Sequence, residues 1–193
     1  MKKSIIYFVL TVFVLSTISF VKVENTSAKE NSSNSFVMMM KATKAYTLEI
    51  AEAMPEDKYA FKPSDSVRSF GEQLAHIGMS SKFLLGMFIK GEQMPTDPEV
   101  FANIGKMEKE MGASKAACIK TLNEAFDELI SIYKSMNAES LSETFEVPFD
   151  PNKPTFTKEQ GFQFIKDHII HHRGQALVSL RMQGIKAPAY RLY

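Results

Sequence analysis

The sequence predicts an all-α fold, a four-helix bundle with a long connection between its third and fourth helices and an N-terminal signal peptide in front. Four stretches of the chain carry apolar side chains three or four positions apart, which is the spacing of one helix face. Turn-forming residues separate these stretches, and no long run alternates between apolar and polar side chains. Helices that each have one apolar stripe bury it most economically against one another, so a bundle is the simplest architecture.

The amino end has the pattern of a secretory signal peptide. Two lysines precede an apolar run over residues 5–21, and small residues at 26–28 allow cleavage after Ala28. We therefore expect a signal peptide over residues 1–28, a flexible lead-in over residues 29–35 and an exported protein. The apolar run has 17 residues, the short limit for crossing a bilayer, so a retained anchor is the alternative and the only expected route to a membrane.

Charge and cysteine content exclude several classes of protein. The chain has 23 Lys and Arg against 22 Asp and Glu, and removal of residues 1–28 changes the formal net charge from +1 to −1. This balance and the lack of a basic run argue against a nucleic-acid partner. The single cysteine, Cys118, excludes an intramolecular disulfide and a cysteine-rich zinc site.

The first two helices are predicted from apolar spacing and from the residues that stop them. The first covers residues 36–54 and ends at Pro55, and the second covers residues 69–89 and ends before Gly91. We expect a loop over residues 90–100, since it contains two prolines, and a short helical approach over residues 107–112.

The last two helices begin at capping residues. Ser114 is a good N-cap for a third helix that runs to Met136. The connection over residues 137–156 contains three prolines and allows only a short extended piece near residues 144–147. Thr157 and Gln160 fit a capping box at the start of the fourth helix, which ends at Gly184.

All four histidines lie on two of these helices. His168 and His172 are four positions apart on the fourth helix, so both rings project from one face and can reach a single divalent ion. His171 points to the side of that face, which leaves His76 on the second helix as the histidine that can supply a third ligand. Three neutral imidazoles with an open fourth position are typical of a catalytic metal site. The alternative is that the pair is a chance spacing of exposed histidines.

Two motifs containing these histidines resemble the DinB/YfiT-like family. They are LAHI at residues 74–77 and HIIHHRGQ at residues 168–175, and the segment leading into the first motif from Met54 is also similar. The resemblance covers residues 35–193 and implies a four-helix bundle and a metal-dependent enzyme. It also implies that His76, His168 and His172 bind one divalent ion. The signal peptide departs from the family, whose members are mostly cytosolic.

The neighbours of the histidines have alternative roles. Glu72, one helical turn before His76, is the candidate catalytic residue as a partner of a ligand imidazole or as a general base, and a solvated carboxylate is the alternative. Arg173 is expected in a buried ion pair, with a substrate role as the alternative. Gln175 either reaches the metal centre or fills a gap in the core. His171 lies either beside the metal centre or on the surface. Gly174 is expected to allow a close helix–helix contact.

Two chemistries suit a site of this kind. An open position on a three-histidine ion can activate water for hydrolysis or a thiolate for thiol transfer, and the family includes bacillithiol S-transferases and mycothiol-dependent isomerases. Export favours hydrolysis, because reduced thiol cofactors are cytosolic. Zinc is the default ion, and nickel, manganese or iron would also fit. A protein that binds a metal or small molecule without turnover, or a dimerising module, remains the alternative, and the expected partners are an unknown small-molecule substrate and a second copy of the chain.

Overall fold

The computed structural model describes residues 35–191, nearly all of which belong to one compact unit, Val37–Tyr193. The predicted signal peptide and residues 29–34 of the lead-in lie outside the described residues. No helix within the described range is long and apolar enough to cross a membrane. The four long helices of the bundle are α1 over residues 35–53, α2 over Phe70–Leu85, α4 over Lys115–Ser135 and α6 over Lys158–Met182. The other elements are a 3₁₀ turn at Glu56–Lys58, a π-helical turn at Gly86–Lys90, helices α3 (Pro98–Gly112) and α5 (Ala138–Ser142), and strands β1 (Thr144–Glu146) and β2 (Thr155–Thr157).

Helix α2 lies at the centre of the fold and packs against α3, α4 and α6. Its apolar side chains Phe70, Leu74 and Ile77 are almost completely buried. Helix α1 is joined to α4 by an ion pair between Lys44 and Asp127. The predominantly helical class predicted from the sequence is confirmed.

The predicted capping residues start the helices as expected. The Ser114 hydroxyl accepts a hydrogen bond from the backbone N–H of Ala117, and α4 begins at the next residue. Thr157 and Gln160 form a complete capping box at the start of α6. Gly184 follows α6 with a φ of 71°, a backbone conformation that glycine adopts without strain.

The connection between α4 and α6 is more ordered than the sequence predicts. It contains α5 and the two strands, which pair antiparallel with Thr144 opposite Thr157. The extended piece expected near residues 144–147 is therefore confirmed as β1, and its partner β2 was not predicted.

Helix α3 corrects the prediction of a loop over residues 90–100. The helix begins at Pro98, well before the short approach expected at residues 107–112, and the Asp97 side chain caps it by accepting from the Glu99 N–H. Apolar spacing did not predict this helix, because its only buried residues are Glu108 and Gly112 and neither has an apolar side chain. Asp followed by Pro is a helix-start signal, and it was the cue available in the sequence.

Two glycines bring the end of α3 against the start of α2. A Cβ built on Gly71 would lie 1.9 Å from the carbonyl oxygen of Gly112, so the two backbones are in direct contact. By contrast, a Cβ built on Gly174 meets nothing within 4 Å. The close helix–helix contact expected at Gly174 is wrong, because Gly174 lies on the exposed side of α6.

Candidate metal centre

One face of α2 and one face of α6 meet at the three predicted histidines. His76 and Ser80 lie one turn apart on α2, and His168 and His172 lie one turn apart on α6. The ring centroids are 4.3 Å apart for His76 and His172, 4.5 Å for His168 and His172, and 5.2 Å for His76 and His168. One ring nitrogen from each histidine lies within 4.8 Å of the other two. Two metal–nitrogen bonds of about 2.1 Å each nearly span this distance between ring nitrogens, so the three side chains suit one shared ion.

Each of the three imidazoles uses its Nδ1 atom in a hydrogen bond. His76 Nδ1 lies 2.6 Å from the Glu108 carboxylate, and His172 Nδ1 lies 2.8 Å from the side-chain oxygen of Gln73. Both partners are acceptors, so each Nδ1 carries the proton and donates it.

His168 follows the same rule with a weaker partner. Its Nδ1 lies 3.4 Å from the hydroxyl oxygen of Ser80, and that hydroxyl donates its own proton to the carbonyl oxygen of His76. The hydroxyl oxygen is left to accept from Nδ1 of His168. With the proton on Nδ1, the neutral form of each ring has an unprotonated Nε2 that is free to bind a metal ion.

The environment of the two α6 histidines favours the neutral, metal-binding form. Burial, with a smaller effect of the neighbouring histidines, lowers the pKa of His168 to about 4. The same causes lower the pKa of His172 to about 3. At neutral pH both imidazoles are uncharged, so an ion does not have to displace a proton from them.

Glu108 on α3 is the site residue that the sequence reasoning missed. It is 7% exposed, and its carboxylate accepts from His76 and from Nε of Arg68, the latter at 3.1 Å. Burial raises the pKa of this carboxyl, but the hydrogen bond from His76 and the charge of Arg68 outweigh burial and hold it below the usual range. Glu108 is therefore an ionised buried carboxylate that orients His76. The contact joins residues 32 positions apart, so no local spacing indicated it.

Glu72, the predicted catalytic residue, is engaged elsewhere in this structure. Its carboxylate accepts from the backbone N–H of Ser69 in the capping box of α2 and pairs with Lys62 at 3.1 Å. Within residues 35–191 it makes no hydrogen bond to the three histidines. Its catalytic role stays a prediction, and the carboxylate that contacts a ligand histidine is Glu108.

The remaining predicted neighbours surround the centre. The Gln175 side chain accepts from Gln73 at 2.7 Å and donates to the exposed His171 at 2.8 Å, so an amide pair links His171 to His172. Arg173 is buried, and its guanidinium lies 4.9 Å from the centre of the Tyr46 ring on α1. Arg173 thus holds α6 against α1 through a cation–π contact.

Solved structures with the same fold include DinB-like proteins. YjoA, a DinB-like protein from Bacillus subtilis, is 19% identical with a TM-score of 0.60, and the match covers 82% of this chain and 99% of that one. YfiT from Bacillus subtilis is described as a probable metal-dependent hydrolase with an unusual four-helix bundle topology. It is 14% identical with a TM-score of 0.63, covering 80% of this chain and 89% of its own. A mycothiol-dependent maleylpyruvate isomerase is 10% identical with a TM-score of 0.57, covering 74% of this chain and 59% of its own.

Sequence comparison agrees with the structural one. No curated protein matches the chain significantly. The family model of the DinB superfamily matches residues 39–176, which include all three histidines of the centre and most of the described fold. The chain therefore belongs to the DinB superfamily.

Proposed function

We propose that this protein is a metal-dependent enzyme that binds one divalent ion through His76, His168 and His172 and uses it on a small-molecule substrate. The observation that carries the proposal is the convergence of three imidazoles whose second nitrogens all donate to fixed acceptors. That arrangement presents three unprotonated nitrogens to one point, which is the donor set that zinc, nickel or iron prefers.

Three protein ligands would leave one coordination position of the ion for substrate. Tetrahedral zinc takes a fourth ligand, and a three-histidine set with an open position supplies a Lewis acid to a bound reactant. The protein's part is to hold the rings: Gln73 and Ser80 fix the rings of α6, and Glu108 fixes the ring of His76. Rings held in this way bind the ion without a further ordering cost.

Hydrolysis is the reaction that we favour over thiol transfer. The predicted signal peptide would direct the chain out of the cytosol, and reduced thiol cofactors are scarce outside the cytosol. YfiT, which shares the fold, is described as a probable metal-dependent hydrolase, and the isomerase of the same fold uses mycothiol. These relatives are distant, so the preference for hydrolysis rests mainly on the predicted location of the protein.

Both carboxylates near the ligands are engaged in other contacts in this structure. Glu108 accepts the Nδ1 proton of His76, so it positions this ligand, whereas Glu72 would need to leave its cap to reach the centre. Glu72→Gln is the variant that decides its role. Retained metal with lost turnover would support catalysis by Glu72, and retained turnover would limit it to capping α2.

The metal content of untagged protein, purified without chelator, tests the proposal first. We expect about one divalent ion per chain by elemental mass spectrometry, and none in the His168→Ala/His172→Ala double variant. His171→Ala is the matched control, since this exposed histidine on the same helix is outside the cluster and should leave the content unchanged. No metal in the wild-type protein, even after reconstitution, would refute the proposal and leave a binding or dimerising module.

A further inference from the structure

A cavity of about 210 Å³ is lined by Gln73 and Arg68, whose hydrogen bonds lead to the metal centre. We call it the Arg68 cleft. It lies between the segment before α2 and the outer side of α6, and its lining includes Pro63, Val67, Arg68, Gln73, Gln175 and Val178. It is smaller than the pockets that hold drug-sized molecules, which measure about 300 Å³ or more, so it suits a small ligand.

Hydrogen bonds connect the Arg68 cleft to the histidines from two directions. On the α6 side, Gln73 lines the cleft and accepts from Nδ1 of His172. On the α2 side, Arg68 lines the cleft and donates to Glu108, which in turn accepts from His76. Gln73 therefore stands between the cleft and His172, and Arg68 and Glu108 together stand between the cleft and His76.

Arg68 is the one charged side chain in the lining of this cleft. Its Nε atom is held by Glu108 at 3.1 Å, and 40% of the side chain is exposed. Within residues 35–191 its two terminal nitrogens form no hydrogen bond or ion pair. A guanidinium fixed at Nε with both ends of its fork open is suited to two parallel hydrogen bonds to a carboxylate.

The rest of the lining selects the body of the ligand. Pro63, Val67 and Val178 give the cleft apolar walls, and Val178 is 51% exposed. An exposed valine on a helix gains from being covered by an apolar group. The lining thus combines one cation with apolar walls, which matches a small molecule that has one anionic group and a short hydrocarbon chain.

We propose that the Arg68 cleft binds the carboxylate of a small substrate with a short apolar chain, next to Gln73 and to the Arg68–Glu108 pair that contact the ligand histidines from behind. This inference rests on the proposed function and adds the substrate class. A carboxylate fits better than a phosphate dianion, because the lining offers a single cation.

Binding of hexanoate tests the inference, with hexanol as the uncharged probe of equal chain length. We expect saturable hexanoate binding to the wild-type protein by calorimetry or ligand-observed NMR, and much weaker binding of hexanol. Arg68→Gln should weaken hexanoate binding by about tenfold or more, because hydrogen bonds to charged groups are lost. Arg68→Lys should recover part of the loss, since it keeps the charge but not the fork. Lys106→Gln, an exposed change on α3, is the matched control and should have no effect.

A second pair of variants avoids the contact with Glu108. Val178→Asp places a negative charge in the cleft from α6 and should abolish hexanoate binding, whereas Val178→Asn should keep most of it. Equal hexanoate binding in wild type and Arg68→Gln, or equal binding of hexanoate and hexanol, would overturn the inference. The metal content of the same samples separates this result from the proposed function. Hexanoate binding that depends on Arg68 in a protein without metal would support the cleft and refute the metal enzyme. Bound metal without Arg68-dependent hexanoate binding would support the metal enzyme and refute the cleft.

Discussion

The two sides of the candidate metal centre hold their histidines by different means. On the α6 side, His168 and His172 donate to neutral acceptors, a hydroxyl and an amide. On the α2 side, His76 donates to Glu108, an ionised carboxylate that Arg68 also contacts. A charged acceptor makes an imidazole a stronger donor to a metal than a neutral one does. The strength of His76 as a ligand is therefore set by α3, a helix that lies outside the four-helix bundle.

The largest expected effect comes from separating α3 from α2. Gly71→Ala would place a methyl group 1.9 Å from the carbonyl oxygen of Gly112, a backbone atom that cannot rotate away. We expect a loss of about 3 kcal/mol in the free energy of unfolding. Glu108 lies one turn before Gly112, so metal affinity should fall as well. Urea denaturation and a chelator competition measure the two effects.

Gly105→Ala is the matched control for this experiment. It makes the same substitution on α3 at a position where a Cβ meets nothing within 4 Å. It should stabilise the protein by about 1 kcal/mol, because alanine is the better helix former. Equal unfolding midpoints for Gly71→Ala and wild type would show that the two glycines do not hold α3 in place.

Glu108→Gln removes the charge that distinguishes the α2 side. The amide keeps an oxygen that can accept from His76 but loses the ionised partner of Arg68. We expect the metal affinity to fall by about 10- to 100-fold, with one ion per chain still bound at saturation. Chelator competition measures the dissociation constant, and the visible spectrum of cobalt-loaded protein reports the altered ligand field independently of turnover.

Two variants show whether the loss is specific to this carboxylate. Glu110→Gln, on the same helix and exposed, should leave the affinity unchanged. Ser80→Ala removes the partner of His168, but that hydrogen bond is 3.4 Å long, so the loss should be only about twofold. Equal losses in Ser80→Ala and Glu108→Gln would erase the difference between the two sides.

Acid should act first on the α6 side of the metal-free protein. The unfolded chain takes up protons at His168 and His172 below about pH 6.5, whereas burial lowers the pKa of His168 to about 4 and of His172 to about 3 in the folded chain. The free energy of unfolding therefore decreases as the pH falls through this range, by at most about 1.4 kcal/mol per pH unit for each histidine and by less where solvent screens it.

The α2 side responds at a lower pH. Despite burial, the hydrogen bond from His76 and the charge of Arg68 hold the pKa of Glu108 below that of an ordinary glutamate, so its stabilising contribution is lost only as the pH falls through that lower pKa. Thermal unfolding between about pH 7 and 5 thus isolates the histidines. The His168→Gln/His172→Gln variant should have a flatter pH profile in this range. An unchanged slope would show that other groups cause the acid sensitivity.

The difference between the α2 and α6 sides of the metal centre also explains what the sequence could predict. The helix starts at Ser114 and Thr157 follow from capping residues and are confirmed. Local spacing on one helix brings the rings of His168 and His172 together, as the structure has them, while their role as metal ligands stays a prediction. Glu108 depends on the docking of α3, which buries almost no apolar side chain and therefore has no hydrophobic period. Its contact with His76 is a tertiary one that periodicity cannot encode.

Proximity along a helix is also the basis of the prediction for Glu72, whose catalytic role stays a prediction. Glu72 lies one turn from His76, which suggested a partnership between them. The local capping box with Ser69 competes for the same carboxylate, and Lys62 adds an ion pair. Ser69 followed three residues later by Glu72 is a recognisable helix-start pattern, so the sequence did contain the cue that favours the cap.

The smallest effect is expected at Gly174, which lies on α6 between two residues of the centre but faces outward. A methyl group there meets nothing within 4 Å, so Gly174→Ala should stabilise the protein by about 1 kcal/mol through helix propensity alone. Because neither the ligands on α6 nor their neutral partners move, the metal affinity should stay at the wild-type value. Urea denaturation and chelator competition on the same preparation measure both quantities. A loss of stability that grows with protein concentration would contradict this expectation and place a second copy of the chain against Gly174, since a close helix–helix contact between copies would then be what this glycine allows.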